Sequence, residues 1–195
     1  MKRLRLQVRR IGPHFRTVLL SGEPGTGKEL VARALHGTIQ GTVGPFVVCY
    51  KAAIEEALTD YESGARTADD VVRLIQGSVR GTLFLDGISE LSLVAQGRLL
   101  RVLTQYESSQ NRVDASQRMD LRIIASTSDD LRILVSTGRL RQELYQRLAT
   151  VEITLPPLRD RMEDLPELAR CFLDRFAQLY GREVREIADE AMERM

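Results

Sequence analysis

Hydrophobic residues along the chain fall into short continuous runs that alternate with longer segments in which apolar positions recur at helical spacing. Short apolar runs bounded by turn residues are typical of buried strands, and the longer periodic segments are typical of helices. The pattern predicts strands at 17–20, 46–49, 81–86, 121–125 and 151–155. It predicts helices at 29–36, 52–58, 68–76, 93–105 and 139–148, and a polar loop at 108–118. This alternation indicates an α/β fold, a parallel sheet flanked by helices on both faces.

Proline and glycine mark the limits of this predicted core. A short basic N-terminal helix is expected to break at Gly12-Pro13, and Pro156-Pro157 follows the last predicted strand. Both pairs are strong breakers of regular structure. Beyond the second pair the chain is predicted to be helical, with a break near Gly181. We therefore expect an α/β core at 1–157 and a partial helical lid at 158–195, whose last helix has no stop signal.

The composition is that of an ordinary soluble globular protein, with 43% hydrophobic and 28% charged residues among 195. A net charge of +1 gives no field that would make DNA or an anionic membrane the default partner. Cys49 and Cys171 lie far apart and match no metal-ligand spacing. The sequence shows no secretion signal and no apolar run near the roughly 20 residues that cross a bilayer. These features favour a reducing cytoplasm as the compartment.

A glycine-rich loop follows the first predicted strand and leads directly into a predicted helix. It reads Gly22-Glu23-Pro24-Gly25-Thr26-Gly27-Lys28 and fits the phosphate-binding pattern G-x-x-x-x-G-K. Glycines in such a loop let backbone N–H groups converge on phosphates, and the helix N-terminus adds partial positive charge. Lysine occurs only at positions 2, 28 and 51, and Lys28 is predicted to reach the β- and γ-phosphates of ATP. A plain glycine-rich turn between strand and helix is the alternative.

Further motifs appear in the same order as in one known family. Glu29 stands where most phosphate loops carry a Ser or Thr hydroxyl for Mg²⁺. With Glu29 included, however, the loop resembles the GExGTGKE of the AAA+ domain of sigma-54-dependent transcription activators, the bacterial enhancer-binding proteins. Segments that resemble the family's GTLFLDE, Q-x-x-LLRVL, RIIAAT, REDLYYRL and LPPLRER are 81–86, 96–103, 121–125, 141–148 and 155–161. The resemblance covers nearly the whole chain and implies a P-loop NTPase fold of the AAA+ type.

The resemblance also implies cofactors, partners and roles for particular residues. ATP or ADP with Mg²⁺ is the expected ligand, and Asp86 would hold the metal, directly or through water. Arg141 and Arg147 would act in trans on the γ-phosphate of a neighbouring subunit. Six residues apart, they are expected on one helix but not on one face, and a solvated arginine-rich helix is the alternative. The implied partners are other AAA+ subunits in a ring and sigma-54 RNA polymerase.

Departures from the family pattern concentrate at the positions used for catalysis, nucleotide sensing and sigma-54 contact. Gly87 replaces the glutamate that polarises the attacking water, and Tyr50 stands at the position of the asparagine that pairs with that glutamate. Ser128 replaces the asparagine that senses the γ-phosphate. The interval 53–81 contains no ELFGHEKGAFTGA motif for sigma-54 contact, and the chain ends before the family's WPGNVREL. No receiver or DNA-binding helix-turn-helix segment is found in these residues.

Three functional hypotheses follow from these observations. The leading one is an AAA+ regulator domain that binds ATP or ADP, hydrolyses it poorly or not at all, and acts by assembling with other subunits. The second is a working ATPase of the sigma-54 activator type, in which another carboxylate replaces the missing glutamate. Glu90 is the nearest such carboxylate in the sequence. The third is a decayed fragment that keeps the fold without a biochemical role.

Overall fold

The fold is a single parallel sheet with helices packed on it. A computed structural model describes residues 2–38, 44–62, 81–110 and 121–182, together with 187, 188 and 191. The strands are β1 (Thr17–Ser21), β2 (Phe46–Tyr50), β3 (Thr82–Asp86), β4 (Arg122–Thr127) and β5 (Glu152–Thr154). The helices are α1 (Lys2–Ile11), α2 (Lys28–Gly37), α3 (Lys51–Glu62), α4 (Leu93–Gln110), α5 (Leu131–Ser136), α6 (Gln142–Leu148) and α7 (Leu165–Tyr180). Short 3-10 turns lie at Ile88–Glu90, Leu158–Asp160 and Met162–Asp164.

The sheet is parallel at each pairing and has the order β2-β3-β4-β1-β5. Its register places Ser21 beside Thr127 and Tyr50 beside Asp86. The segments that follow β1, β2, β3 and β4 therefore leave the sheet at one edge. In open α/β sheets, ligands bind at this carboxyl edge of the strands.

The core is built from consecutive apolar residues in the strands. Parallel strands covered on both faces are expected to be apolar at successive positions, and Val18, Leu19 and Leu20 are 0%, 3% and 0% exposed. Helix α4 adds buried residues at helical spacing: Ala95, Leu99, Val102 and Leu103. Cys49 lies in the same core near the end of β2, and burial raises the pKa of its thiol.

The predicted strands and most of the predicted helices are present, with three differences. The helix predicted at 139–148 is wrong at its start, because α6 begins only at Gln142. The polar loop predicted at 108–118 is wrong at its start, because α4 continues to Gln110. Helix α5 was not predicted, although Asp130 marks its start by accepting a hydrogen bond from the Arg132 backbone N–H. The helix predicted at 68–76 and the segment 111–118 lie outside the described residues.

The chain divides into two compact units. Lys2–Leu155 contains the sheet and the helices that cover it, and Pro156–Met195 contains α7. Helix α7 has a proline in its first turn and ends at Gly181, which adopts the left-handed conformation. Among the described residues, we find no helix with the length and apolarity that crossing a membrane requires.

Candidate functional site

The loop between β1 and α2 is held in a closed turn at the carboxyl edge of the sheet. The Gly22 N–H donates to the Thr127 carbonyl at 3.2 Å, which ties the start of the loop to the end of β4. A Cβ on Gly22 would lie 2.8 Å from the Leu155 carbonyl oxygen, so only glycine fits there. The buried hydroxyl of Thr26 donates to the Glu23 carbonyl at 2.8 Å, and the Thr26 N–H donates to the same oxygen at 3.3 Å. These contacts fix the loop conformation from within.

Lys28 begins α2, and its ammonium folds back over the loop. Its Nζ donates to the carbonyls of Gly22 at 2.7 Å and Glu23 at 3.1 Å, and to the Ser128 hydroxyl at 3.2 Å. Desolvation lowers the pKa of Lys28, and the negative charge of Asp86 opposes that shift. A partly desolvated ammonium interacts more strongly with an anion than a hydrated one, because the local dielectric constant is lower. Lys28 therefore lies over the loop at the carboxyl edge of the sheet, and its contact with phosphate stays a prediction.

Asp86 ends β3 and faces this ammonium across the edge of the sheet. Ser126 is 0% exposed, and its hydroxyl donates a hydrogen bond to Asp86 Oδ1. The same hydroxyl oxygen lies 3.4 Å from the Gly87 N–H, which donates to it. Ser126 therefore fixes the carboxylate that the sequence assigns to Mg²⁺. It was not singled out from the sequence, although it replaces the second alanine of the RIIAAT pattern.

The three positions that depart from the family pattern all lie at this edge. Tyr50 is the register partner of Asp86 and is 54% exposed. Gly87 has φ 75° and ψ 40°, in the left-handed region where glycine is favoured, so the chain turns immediately after Asp86. Ser128 follows β4 and reaches Lys28, so a short hydroxyl occupies the place of a longer amide. The structure thus brings the substituted positions together around Lys28 and Asp86.

Glu29 does not face the loop. Its carboxylate accepts hydrogen bonds from Arg33 Nη2 at 2.7 Å and Nε at 3.0 Å, one turn further along α2. The Arg33 guanidinium also lies over the Phe46 ring, 4.7 Å from its centroid. Pro24 and Gly25 are exposed at the tip of the loop. Of the predicted loop residues, Lys28 alone presents a positively charged side chain.

Arg141 and Arg147 are both engaged within their own chain. Arg141 Nε donates to the Leu93 carbonyl at 3.1 Å. Arg147 donates to the Thr104 hydroxyl at 2.8 Å and to Glu107 at 2.6 Å. The expectation that both lie on one helix is wrong, because Arg141 is extended and precedes α6, with φ −68° and ψ 127°.

A buried amide explains why the helix starts late. Gln96 is 0% exposed on α4, and its Oε1 accepts the Arg141 backbone N–H at 2.9 Å. Its Nε2 donates to the carbonyls of Leu91 at 2.8 Å and Arg139 at 3.0 Å. These bonds hold the backbone of 139–141 against α4 in a non-helical path. The remaining part of the predicted helix forms as α6.

The donor set at this edge fits a magnesium ion shared with phosphates. Within the described part of the chain, no three His, Cys, Asp or Glu side chains gather as a metal site. Mg²⁺ typically needs only one or two carboxylates, since phosphate oxygens and waters complete its octahedron. Asp86, oriented by Ser126 and close enough to Lys28 to influence its pKa, supplies such a carboxylate.

Comparison with known proteins finds a matching family model and relatives that agree with it. The family model described as "Sigma-54 interaction domain" matches residues 1–154. The transcriptional regulatory protein ZraR of Klebsiella oxytoca is 41% identical over 201 residues, covering 99% of this chain and 45% of that protein. The chain therefore spans less than half the length of this relative.

Solved structures agree with this assignment. The crystal structure of NtrX from Brucella abortus in complex with ATP superposes with a TM-score of 0.79 at 30% identity, covering 99% of this chain and 45% of that one. The P-loop NTPase domain of a sigma-54 transport activator from E. coli superposes with a TM-score of 0.52 at 23% identity, covering 80% and 94%. The latter likeness shows the fold alone. The predicted fold class, a P-loop NTPase of the AAA+ type with a parallel sheet flanked by helices, is confirmed.

Proposed function

The chain belongs to the sigma-54 interaction domain family, and on that premise we propose that it is an AAA+ domain that binds ATP or ADP in transcription regulation. The observation that carries the proposal is the position of Lys28. Its ammonium lies over a closed glycine-rich loop, within hydrogen-bond distance of Ser128 and close enough to Asp86 for their charges to interact. Loop, cation and carboxylate are the parts that a P-loop NTPase uses to hold β- and γ-phosphates with Mg²⁺.

Nucleotide binding is supported independently of the substituted positions. The loop backbone and Lys28 supply the phosphate contacts, and Asp86 supplies the metal contact. The side chains of Gly87, Tyr50 and Ser128 are not among these proposed ligand contacts, although the Ser128 hydroxyl accepts a hydrogen bond from Lys28. The relative NtrX has been solved in complex with ATP and with ADP. Both nucleotides are therefore proposed as ligands, with Mg²⁺.

We propose slow hydrolysis, because the position after Asp86 carries no side chain. In this family a glutamate at that position polarises the attacking water, and general-base assistance is typically worth about 10²–10⁴ in rate. Gly87 offers no base, and the exposed phenol at Tyr50 replaces the amide that pairs with the glutamate. A fully working ATPase is the second candidate, and it is favoured by one observation. Glu90 lies on the turn that follows Gly87, with its carboxylate directed back towards it.

The proposed mode of action is assembly with other AAA+ subunits, copies of this chain or related proteins. Arg141 and Arg147 are proposed to reach the nucleotide of a neighbouring subunit. The contacts of Arg147 are compatible with this role, because its partners Thr104 and Glu107 are exposed and the Arg147 side chain is itself 24% exposed. Exposed contacts of this kind contribute little free energy and are easily exchanged, since exposed ion pairs are worth about 0.2–1 kcal/mol.

Direct remodelling of sigma-54 is not part of the proposed function. The contact motif of the family is missing from the sequence between β2 and β3, and most of the segment 59–67 in that interval lies outside the described residues. The segment contains Tyr61 and Arg66 but not the phenylalanine of the family's motif, and a binding hot spot depends on a particular anchor in a packed pocket. We expect no nucleotide-dependent capture of sigma-54 in pull-down experiments, even with a transition-state analogue of ATP. Capture of a competent AAA+ relative should depend on nucleotide, whereas robust capture of sigma-54 would restore the working-activator hypothesis.

Thermal unfolding with and without nucleotide tests the binding proposal. A ligand of the folded state stabilises it by RT ln(1 + [L]/Kd), which is about 2.7 kcal/mol when ligand is at 100 times Kd. MgATP and MgADP should therefore raise the melting temperature, and Lys28→Ala should abolish the rise. Arg10→Ala, which removes one exposed positive charge from α1, is the control and should keep the full rise. Equal rises in the wild-type chain and in Lys28→Ala would show that the loop is not the site.

A further inference from the structure

Glu90 lies at the place that the missing glutamate side chain would enter. A Cβ built on Gly87 would be 3.5 Å from Glu90 Oε1 and 3.7 Å from its carboxyl carbon. The carboxylate of Glu90 therefore covers Gly87 from the neighbouring turn. This contact brings a carboxylate back to the residue that directly follows Asp86.

The turn after β3 produces this placement. Gly87 adopts the left-handed conformation and reverses the chain, and the Glu90 N–H donates to the Gly87 carbonyl at 3.0 Å. Ile88, between them, is 0% exposed and anchors the turn in the core. Leu91, directly after Glu90, is 4% exposed in the same core, so the backbone is fixed on both sides of Glu90.

A cation just beyond the adjacent strand β2 forms an ion pair with that side chain. Lys51 is the first residue of α3 and directly follows Tyr50, the register partner of Asp86. Its Nζ lies 3.7 Å from Glu90 Oε2. Lysine is rare in this arginine-rich chain, at positions 2, 28 and 51, and two of the three lie at this edge of the sheet. A compact ammonium restrains a carboxylate as a point charge without occupying both of its oxygens.

The other acidic side chains with described partners nearby are engaged elsewhere. Glu29 forms its ion pair with Arg33, and Asp130 accepts the Arg132 N–H at the start of α5. Asp86 accepts a hydrogen bond from the Ser126 hydroxyl and is the proposed metal ligand. The Glu90 side chain is 61% exposed, so water reaches its carboxylate. This combination of access, charge and position suits a group that takes a proton from water.

We propose that Glu90 is the general base for ATP hydrolysis in this chain and that Lys51 is its positioning residue. The inference rests on the proposed binding of ATP at the phosphate loop. A Glu90 carboxylate oxygen accepts a proton from a water molecule while the water oxygen forms a bond to the γ-phosphorus. The bond from the γ-phosphorus to the β,γ-bridging oxygen breaks, and its electron pair stays on ADP. Glu90 then releases the proton to solvent, and the products are ADP and inorganic phosphate.

The proposal replaces an amide–glutamate pair by an ammonium–glutamate pair on the segments that directly follow the same two strands, β2 and β3. Lys51 extends β2 by one residue beyond the asparagine position, and Glu90 reaches back over Gly87. Turnover by this route remains below that of relatives with the glutamate, because an exposed side chain on a turn is positioned less firmly than one directly after the strand. Slow hydrolysis and a working base are therefore compatible.

Phosphate release at saturating MgATP, measured together with nucleotide affinity, tests the inference. Glu90→Gln keeps the shape and removes the base, so turnover should fall about 100-fold, with ATP affinity unchanged. Glu56→Gln, an exposed glutamate on α3, is the matched control and should keep wild-type turnover. Lys51→Met should lower turnover by up to about fivefold, as expected for an exposed ion pair. Lys51→Arg should restore it without a change in affinity.

The outcomes separate the two proposals. A chain that binds no nucleotide overturns the proposed function and this inference with it. Binding with no measurable turnover, or turnover that Glu90→Gln leaves intact, overturns the inference alone. Loss of both affinity and turnover in Glu90→Gln would also overturn it, because that pattern belongs to a structural or binding role. A selective loss of turnover in Glu90→Gln supports it, together with a smaller loss in Lys51→Met that Lys51→Arg does not show.

Discussion

Gln96→Leu removes the buried amide that joins α4 to the segment before α6. In the wild-type chain the Gln96 side chain donates to the Leu91 and Arg139 carbonyls at 2.8 and 3.0 Å and accepts the Arg141 N–H at 2.9 Å. Leucine has nearly the same size, so no cavity forms. The three hydrogen bonds are lost, and a methyl-bearing side chain faces two carbonyls and one N–H.

The expected loss of stability follows from these contacts. A neutral hydrogen bond contributes about 0.5–1.5 kcal/mol net, and a buried group left without a partner costs about 1–3 kcal/mol. Two of the three partners lie on 139–141, near the surface, where water can replace the amide in part. We therefore expect a loss of about 3 kcal/mol in the free energy of unfolding. For a urea m-value of about 2 kcal/mol/M, the midpoint falls by about 1.5 M.

Urea titration followed by circular dichroism measures this difference. Gln105→Leu changes an exposed glutamine on the same helix and is the matched control, with an expected change within about 0.5 kcal/mol. A Gln96→Leu chain as stable as the wild type would refute the view that this amide holds the 139–141 path. Partial destabilisation accompanied by faster backbone hydrogen exchange at Arg141 would agree with it.

Two further predictions concern the edge of the sheet. Ser126→Ala should weaken the Mg²⁺-dependent part of ADP binding about tenfold, because residues that hydrogen-bond to metal ligands typically contribute 10–100-fold to metal affinity. Calorimetry with and without Mg²⁺ measures this change. An unchanged metal dependence would contradict the role given to Ser126. Gly87→Glu should cost about 1–2 kcal/mol of stability, since it places a non-glycine residue in the left-handed region. It should also raise turnover by up to about 100-fold once a neighbouring subunit supplies Arg141 and Arg147. Phosphate release measured at increasing protein concentration tests this, and turnover that does not rise would contradict it.

The phosphate loop and the sheet could be predicted because their signals are local. A strand, a glycine-rich turn with Lys28 and a helix follow one another within a few residues, and each element has the hydrophobic period of its type. The parallel arrangement follows from the alternation of strands and helices. The family resemblance added Asp86, which no local pattern distinguishes from other turn aspartates.

Contacts between distant segments could not be predicted in the same way. The sequence of 139–148 is compatible with a continuous helix, and its first residues are extended only because Gln96, far away in sequence, binds their backbone. The roles of Ser126 and Lys51 depend on the strand order, in which β3 lies between β2 and β4. This order could not be read from the sequence around either residue. Glu90 is close to Gly87 in the sequence, but the left-handed turn that folds its carboxylate back could not be predicted.

The buried thiol of Cys49 can be used to detect the opening of β2. Alkylating reagents react with the thiolate, so a buried thiol with a raised pKa reacts only when its surroundings open. Cys49 lies on β2, the strand at one end of the described sheet, one residue before Tyr50 and two before Lys51. Local opening and global unfolding differ in free energy, and labelling rates distinguish them. In a chain whose exposed Cys171 is replaced by serine, the rate of Cys49 labelling can be compared with and without nucleotide. The difference would show how much bound nucleotide suppresses the opening of β2, without any measurement of phosphate.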